Sequence, residues 1–371
     1  MDRPLAGLKV VELARILAGP WAGQLLADLG AEVIKVERPG AGDDTRSWGP
    51  PFAADGSAAY FHACNRGKSA LAIDLASAAG QAAVRDLVRD ADVLIENFKV
   101  GGLAGYGLDH ASLSAVNPRL VYCSITGFGQ DGPYATRAGY DFIIQGMGGI
   151  MDLTGDPAGE PQKIGVAFAD IFTGVYAATA ILAALRGRET TGAGCHIDMA
   201  LLDVQVAVLA NQAMNYLVGG EAPRRLGNAH PNIAPYQVFA VADGHIIVAV
   251  GNDAQFERLC ALLGLPCEKR FATNADRVGN RDALDALLVP AIALRRRDEL
   301  LAALAAAGIA AGPINDVVQV FADPQVAARG MRIEPDGVPG VASPVVIDGK
   351  RQVSVTASPR LAQPPGREKT S

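Results

Sequence analysis

The chain has 371 residues, 50% of them hydrophobic and 19% charged, as in ordinary globular enzymes, and this length favours two domains over one. Its formal net charge of −6 and pI of about 5.4 argue against a nucleic-acid-binding protein, because such proteins carry a clustered basic face. Five cysteines without a CxxC pair argue against a disulfide framework or a zinc site and favour a reducing compartment.

The first half of the chain alternates short apolar strands with helical segments. We predict strands at 9–13, 32–37, 69–75, 91–97 and 119–126, and helices at 20–29, 78–90 and about 108–116. Near-continuous apolar strands that alternate with helices are typical of a parallel sheet covered on both faces. This half therefore predicts an α/β fold with a Rossmann-like large domain.

Beyond residue 130 the pattern is first helical and then mixed. We predict helices at 139–150, 171–186, 203–218, 253–263 and 281–309, a strand at 195–201, and a hairpin at 237–251 that turns at Asp243-Gly244. The turn-rich stretch 219–236 separates the two regimes. The change of pattern there predicts a smaller second domain at roughly 221–320. The tail after Pro359 is predicted to be disordered.

The apolar stretch 165–185 is the one segment that could be mistaken for a membrane span. It carries Asp170 and two glycines and lacks flanking basic residues, so we interpret it as a buried core helix and expect no membrane association. The N-terminus does not have the architecture of a signal peptide, and we therefore expect a cytoplasmic protein.

Asp170 is the one charge in that apolar context, and two interpretations stay open. Aspartate favours the N-cap position, and helical periodicity begins right after this residue, so it could be a purely structural cap. It could also be a partly desolvated carboxylate that acts as a covalent nucleophile. The two interpretations are compatible, because a capping carboxylate can also line a cleft.

The N-terminal unit 9–38 has the strand–turn–helix–strand order of a dinucleotide-binding unit but not its fingerprint. Gly19 and Gly23 are four residues apart, and no GxGxxG is present. The helix N-terminus could still hold an anion, and Arg38 is placed to reach a nucleotide phosphate unless it is an ordinary surface arginine. The sequence also lacks GxSxG and HExxH, so we predict no serine-hydrolase elbow and no metal site.

Several long blocks follow one another in a specific order. They are LAGLKVVELARILAGPWAGQLLADLGAEVIKVERPG, ADVLIENF, ITGFGQDGPYATRAGYDF, VAFADIFTGVYAATAILAAL and GPINDVVQVFADPQV. This ordered set resembles the family III CoA transferases (CaiB/BaiF type) over nearly the whole chain. The resemblance implies an interlocked homodimer in which each chain forms a ring threaded by the other. It implies as well that the smaller α+β domain at 221–320 is inserted into a large domain made of 1–220 and 321–371. It also implies acyl-CoA and a small carboxylic acid as substrates, with no permanently bound cofactor.

The resemblance carries over to individual residues. Asp170 matches the family's catalytic aspartate, and Arg38 matches an arginine that contacts CoA. The residues that it implies to line the CoA and thioester site are Arg15, Ile16, Leu17, Ala18, Arg38, Ile73, Asp74, Leu75, Asn97, Phe98, Lys99, Arg137, Tyr140 and Asp141.

The implied chemistry conserves the energy of the thioester. The Asp170 carboxylate attacks the donor acyl-CoA to give a mixed anhydride, and the CoA thiolate then returns to form an aspartyl-CoA thioester. An acceptor carboxylate repeats these steps in reverse. Two further segments, GNAHPNIAPYQVF and VAVGNDAQF, are most similar to the branch that uses succinyl-CoA with dicarboxylic acids.

Departures from the family pattern keep two alternatives open. Gly105 stands where many relatives carry an arginine that holds CoA, with Lys99 as the candidate replacement, and a C-terminal block usual in the family is absent. A sister branch contains α-methylacyl-CoA racemases, whose base is a histidine at the position of Tyr140. A phenol with a pKa near 10 is a poor substitute for that base. A transferase is therefore the prediction, with a racemase or a non-catalytic CoA-binding protein as alternatives.

Overall fold

In the computed structural model, which describes residues 3–361, the chain divides into two compact units. Within the described residues, unit 1 comprises 3–150, 163–221 and 324–361, and unit 2 comprises 151–162 and 222–323. The tail predicted to be disordered lies, from residue 362 onward, outside the described residues.

Unit 1 is built on a six-stranded sheet in which every neighbouring pair of strands is parallel, in the order β3-β2-β1-β4-β5-β6. The strands are β1 (Lys9–Glu12), β2 (Glu32–Glu37), β3 (Lys68–Ala72), β4 (Val93–Glu96), β5 (Val121–Thr126) and β6 (Cys195–Ala200). The predicted parallel sheet of an α/β fold is confirmed.

Both faces of this sheet are covered, as the unbroken apolar strands predicted. Val10 of β1 belongs to the hydrophobic cluster on one face, and its neighbour Val11 belongs to the cluster on the other. The same alternation holds for Val93 and Leu94 of β4. Because side chains alternate along a strand, a strand that is buried on both faces needs apolar residues at every position.

The helices of unit 1 lie between these strands and after them. They are α1 (Ala18–Asp28), α2 (Ala59–His62), α3 (Ala78–Val88), α4 (His110–Val116), α5 (Asp141–Met147), α6 (Ile150–Leu153, at the border with unit 2), α7 (Phe168–Thr191), α8 (Leu201–Ala207) and α9 (Ala210–Gly219). Unit 2 contributes β7 (Tyr236–Val241), β8 (Gly244–Ala249), α10 (Asp253–Leu263), α11 (Asn274–Gly279), α12 (Arg281–Ala293), α13 (Arg297–Ala306), β9 (Ala310–Pro313) and α14 (Val317–Ala322). The chain then returns to unit 1 with α15 (Pro324–Ala328) and the short strands β10 (Arg332–Ile333), β11 (Gly340–Val341), β12 (Val346–Ile347) and β13 (Lys350–Arg351).

Three predicted helices are each two helices in the structure. The predicted 139–150 is α5 followed by α6, 203–218 is α8 followed by α9, and 281–309 is α12 followed by α13. The backbone leaves the helical region at Gly149 and at Ala210, where φ is 84° and 45°. Such local breaks leave the apolar periodicity intact, so the pattern did not reveal them.

Two further predictions were wrong in their boundaries. The helix predicted at 171–186 is α7, which begins at Phe168 and ends at Thr191. The hairpin of β7 and β8 exists, but its two loop residues are Ala242 and Asp243, because Gly244 already pairs with Val241.

Helix α7 packs against α1 through a glycine. A methyl group on Gly174 would lie 2.7 Å from the Ala18 carbonyl oxygen and 2.9 Å from Trp21 Cβ, so only glycine permits this crossing. Among the described residues, α7 is also the one helix long and apolar enough to cross a membrane by length and composition. Of its most apolar 18-residue window, 39% is buried within the chain.

A cluster of charges is buried beneath the sheet's carboxyl edge. Glu12 accepts from both Lys35 and Lys68, at 2.9 and 2.8 Å, and all three side chains are fully buried. A methyl group on Gly23 would lie 1.9 Å from the Glu12 carboxylate. Gly23, whose spacing from Gly19 does not match the dinucleotide-binding fingerprint, therefore leaves space for this cluster of charges.

The strand order places a crevice at one point of this edge. The chain continues from β1 to β2 on one side and from β4 to β5 on the other, so the segments that follow β1 and β4 diverge. In open parallel sheets, ligands bind at such a reversal of strand order, outside the carboxyl ends of the strands.

Candidate active site

The segment that follows β1 is held in an unusual backbone conformation. Ile16 has φ of 72°, a left-handed value that a β-branched residue rarely adopts. Its N–H donates to the Asp43 carboxylate at 3.3 Å, and the Cys64 thiol lies 3.6 Å from its carbonyl oxygen. Strain of this kind persists only where the surroundings enforce it, and it occurs mostly at functional sites.

The neighbours of Ile16 are fixed by side chains from other strands. The Lys35 ammonium donates to the Ala14 carbonyl at 2.9 Å and also lies 2.9 Å from Asp43. Asn97, directly after β4, accepts from the Arg15 N–H at 2.9 Å and donates to the Arg15 carbonyl at 2.7 Å. The two segments at the crevice are thereby joined.

Asp170 lies in the first turn of α7, where it is the third helical residue. It is not the N-cap, as one interpretation of the sequence proposed, because the N-cap is Ala167. Asp141 supplies the capping carboxylate instead, accepting from the N–H groups of Ala169 and Asp170 at 2.8 and 3.2 Å. The Asp170 side chain itself lines a cavity, which is described below.

Asp141 is itself fixed by a buried amide. Gln145, which is fully buried, donates to the second Asp141 oxygen at 2.7 Å and accepts from the Ile164 N–H at 2.9 Å. The chain of contacts from Gln145 through Asp141 thus fixes the backbone that carries Asp170.

Asp170 is electrostatically perturbed. Burial, and secondarily the nearby Asp141 carboxylate, raise the pKa of Asp170 to about 7. The N-terminus of α7 acts in the opposite direction, because a helix N-terminus favours negative charge. A carboxylate with a raised pKa in a cleft is a candidate for catalysis.

One cavity has a volume of about 460 Å³. It is lined by the segments that follow β1 and β4, by the first turn of α7 and by the stretch 135–140. Its lining includes most of the predicted site residues, namely Arg15, Ile16, Leu17, Ala18, Asn97, Phe98, Lys99, Arg137, Tyr140 and Asp170. Other residues that line it, which the sequence did not single out, are Val100, Gly102, Ile125, Thr126, Gly127, Ala135, Ala138, Gly139 and Leu201.

The remaining predicted residues lie outside that lining. One of them is Asp141, the cap of α7 described above. Arg38 follows β2 and pairs with Asp44. In the loop after β3, Asp74 accepts from the Ala76 N–H at 3.0 Å, while Ile73 and Leu75 pack against a hydrophobic cluster of the sheet. A ligand role for these five residues stays a prediction.

The sequence did not lead to the residues that support the site. Tyr60 of α2 lies near Asp170. Burial, and secondarily the Asp170 carboxylate, raise the pKa of the Tyr60 phenol to about 12. Asp43 and Lys35 hold the segment after β1. Lys35 did give a signal, since a charge inside an apolar strand requires a buried partner.

Comparison with known proteins gives this geometry a family. The model of "CoA-transferase family III" matches residues 5–364. The chain is 56% identical to the succinate–glutarate CoA-transferase of Agrobacterium fabrum (strain C58 / ATCC 33970), over 97% of this chain and 93% of that protein. It is 42% identical to the succinyl-CoA:glutarate CoA-transferase of Homo sapiens, over 97% and 83% of the two chains.

Solved structures agree. A crystal structure of a CAIB/BAIF family protein from Brucella suis superposes with a TM-score of 0.88 at 62% identity and covers 97% of each chain. The chain is therefore an enzyme of CoA-transferase family III.

Proposed function

We propose that this enzyme moves CoA from succinyl-CoA to a small dicarboxylic acid such as glutarate, with Asp170 as the nucleophile. The observation that carries the proposal is the Asp170 carboxylate, presented to the cavity by Asp141 and partly desolvated. The substrates named for the two relatives support the choice of donor and acceptor.

The reaction proceeds by four displacements at carbonyl carbon. An Asp170 oxygen attacks the succinyl thioester and expels CoA thiolate, which leaves a succinyl–aspartyl anhydride. The thiolate attacks the aspartyl carbonyl and expels succinate, so that CoA is now bound to Asp170 as a thioester. The acceptor carboxylate attacks this thioester, and the released thiolate finally attacks the acceptor's carbonyl in the new anhydride and frees Asp170.

The surroundings suit these steps. The apolar walls, including Ile16 and Leu201, limit water near the anhydride, which hydrolysis would destroy. Lys99 and Arg137 lie exposed at the cavity and are available for the phosphates of CoA. The steps as written need no metal and no permanently bound cofactor.

The test is a transfer assay with succinyl-CoA and glutarate that measures glutaryl-CoA. We expect robust transfer by the native enzyme and a loss of at least about 10³-fold in Asp170→Asn, because the amide cannot form the anhydride. Transfer at the native rate by Asp170→Asn would refute the proposed role of Asp170. No transfer with any dicarboxylic acceptor would refute the proposed substrates.

We further propose that the functional form is the interlocked homodimer, and that the two compact units are the predicted large and small domains. Large apolar side chains stay exposed on helices of unit 1, which supports a second copy of the chain as their cover. They include Phe142 and Ile143 of α5, Val175 and Tyr176 of α7, and Met214, Leu217 and Val218 of α9. In this proposal unit 2, with 222–323 as its main part, is the small domain inserted in the chain.

A further inference from the structure

Three cations line the cavity, and their surroundings differ. Lys99 and Arg137 are exposed, whereas Arg15 is partly buried, with 39% of its side chain exposed. Asn97 fixes the Arg15 backbone on both sides, and the guanidinium lies over the Phe98 ring, 5.9 Å from its centroid. Arg15 is therefore the least exposed of these three cations, and its backbone is held on both sides.

A carboxylate of the protein already pairs with Arg15. Asp44 Oδ2 lies 2.7 Å from Arg15 Nη1, and Asp44 Oδ1 pairs with Arg38. Asp44 is 35% exposed, and ion pairs as exposed as these contribute only about 0–1 kcal/mol. A carboxylate that enters the cavity can therefore replace Asp44 on Arg15 at little cost.

The rest of the lining matches a dicarboxylic acid. Besides Asp170 and Arg15, the cavity lining offers apolar side chains for a short methylene chain, namely Ile16, Leu17, Ala18, Ile125 and Leu201. One carboxylate of the acid reacts at Asp170. The second would be costly to bury without a cation, and a guanidinium binds a carboxylate through two parallel hydrogen bonds.

We propose that Arg15 binds the second, non-reacting carboxylate of the substrate, and that Asp44 competes with the substrate for Arg15. The inference rests on the proposed transfer of CoA between dicarboxylic acids. No bond forms or breaks at Arg15, so its role is recognition. Arg15 then determines the preference for dicarboxylic over monocarboxylic acids, and Asp44 weakens binding of the former.

Three ligands separate this role from others. Succinyl-CoA carries the second carboxylate, butyryl-CoA has the same four-carbon acyl group without it, and free CoA has no acyl group. The measurements are the concentration dependence of covalent adduct formation from each thioester, and the constant for inhibition by free CoA.

Arg15→Gln is expected to raise the succinyl-CoA concentration needed for half-maximal adduct formation by about 10- to 100-fold, the effect of losing a hydrogen-bonded charge pair. The inhibition constant of free CoA should change by no more than about twofold, and so should the butyryl-CoA concentration for half-maximal adduct formation. Neither ligand presents a carboxylate to Arg15. Arg15→Lys should restore part of the loss, because it keeps the charge without the fork of donors.

Asp44 also pairs with Arg38, and any gain through Arg38 would apply to succinyl-CoA and butyryl-CoA alike. Relative to butyryl-CoA, Asp44→Asn should strengthen succinyl-CoA binding severalfold, an effect that damage to the fold would not produce. The inference is wrong if Arg15→Gln weakens CoA and succinyl-CoA equally, which would assign Arg15 to the CoA moiety, or if it weakens neither. If the native enzyme forms no adduct with any thioester, the proposed transferase mechanism itself fails, and that outcome is distinct from the others.

Discussion

At the residue scale, Asp170 is influenced by a second aspartate that is distant in the chain. Asp141 precedes Asp170 by 29 residues, yet it accepts from the Asp170 N–H. Burial and this neighbouring negative charge together raise the pKa of Asp170 to about 7. A protonated carboxyl cannot attack a thioester, so only the fraction ionised at a given pH reacts.

The rate of covalent adduct formation from succinyl-CoA should therefore rise with pH, with its midpoint near the pKa of Asp170. Asp141→Asn removes the neighbouring charge but keeps an oxygen for the backbone N–H groups. The pKa of Asp170 should fall, and the midpoint of the pH–rate profile should move to lower pH. Single-turnover kinetics across pH 5–9 measure the midpoint, which a simple loss of stability would not shift. An unchanged midpoint would mean that burial alone sets this pKa.

The Asp170–Asp141 pair also shows which residues of the site could be predicted from the sequence and which could not. The single charge in an apolar stretch pointed to Asp170, and ordered motifs pointed to Arg15 and Asn97. The contacts that Asp43 and Lys35 make with the segment after β1, and the contact of Asp141 with the first turn of α7, join elements distant in the chain, and no local periodicity encodes such contacts. Only the folded backbone reveals which carboxylate caps which helix.

At the scale of elements, the site depends on how closely α1 approaches α7. Both helices begin at the cavity, α1 with Ala18 and α7 with the turn that carries Asp170. The approach requires Gly174, where an added methyl group would meet the Ala18 carbonyl at 2.7 Å. The backbone and not a flexible side chain is in the way, so the helices themselves must move.

Gly174→Ala should therefore destabilise the protein by about 1–3 kcal/mol and lower kcat, because it separates Ala18 from Asp170. Gly187→Ala is the matched control on the same helix, where an added methyl group meets nothing within 4 Å. It should stabilise the protein by about 0.5–1 kcal/mol through helix propensity and leave kcat unchanged. Denaturant unfolding and transfer assays measure both effects. Equal behaviour of the two variants would show that this crossing does not position the site.

The sequence predicted secondary-structure elements better than it predicted the contacts between individual side chains. The central strands β1, β4 and β5 were recognisable because burial on both faces demands unbroken apolar runs. The ends and breaks of helices were not, since Gly149 and Ala210 interrupt the backbone without changing the apolar pattern. The early start of α7 was hidden because its cap, Asp141, is not adjacent in the chain.

At the scale of the whole molecule, the exposed apolar helices lead to a prediction about assembly. Leu217 and Val218 of α9 are 71% and 80% exposed in the single chain, an unfavourable arrangement unless another surface covers them. Two threaded rings cannot separate without unfolding. Light scattering should therefore give twice the chain mass of 38.4 kDa, and this value should persist on dilution. A monomer, or a dimer that dissociates on dilution, would contradict the interlocked arrangement.

In the proposed mechanism, CoA becomes covalently bound to Asp170 during transfer. The most direct measurement is to mix the enzyme with succinyl-CoA alone, quench it with acid within one turnover, and analyse the peptides by mass spectrometry. We predict CoA attached to the peptide that contains Asp170, an attachment that hydroxylamine releases and that Asp170→Asn does not form. Transfer to an acceptor with no CoA on that peptide at any time in the turnover would contradict it.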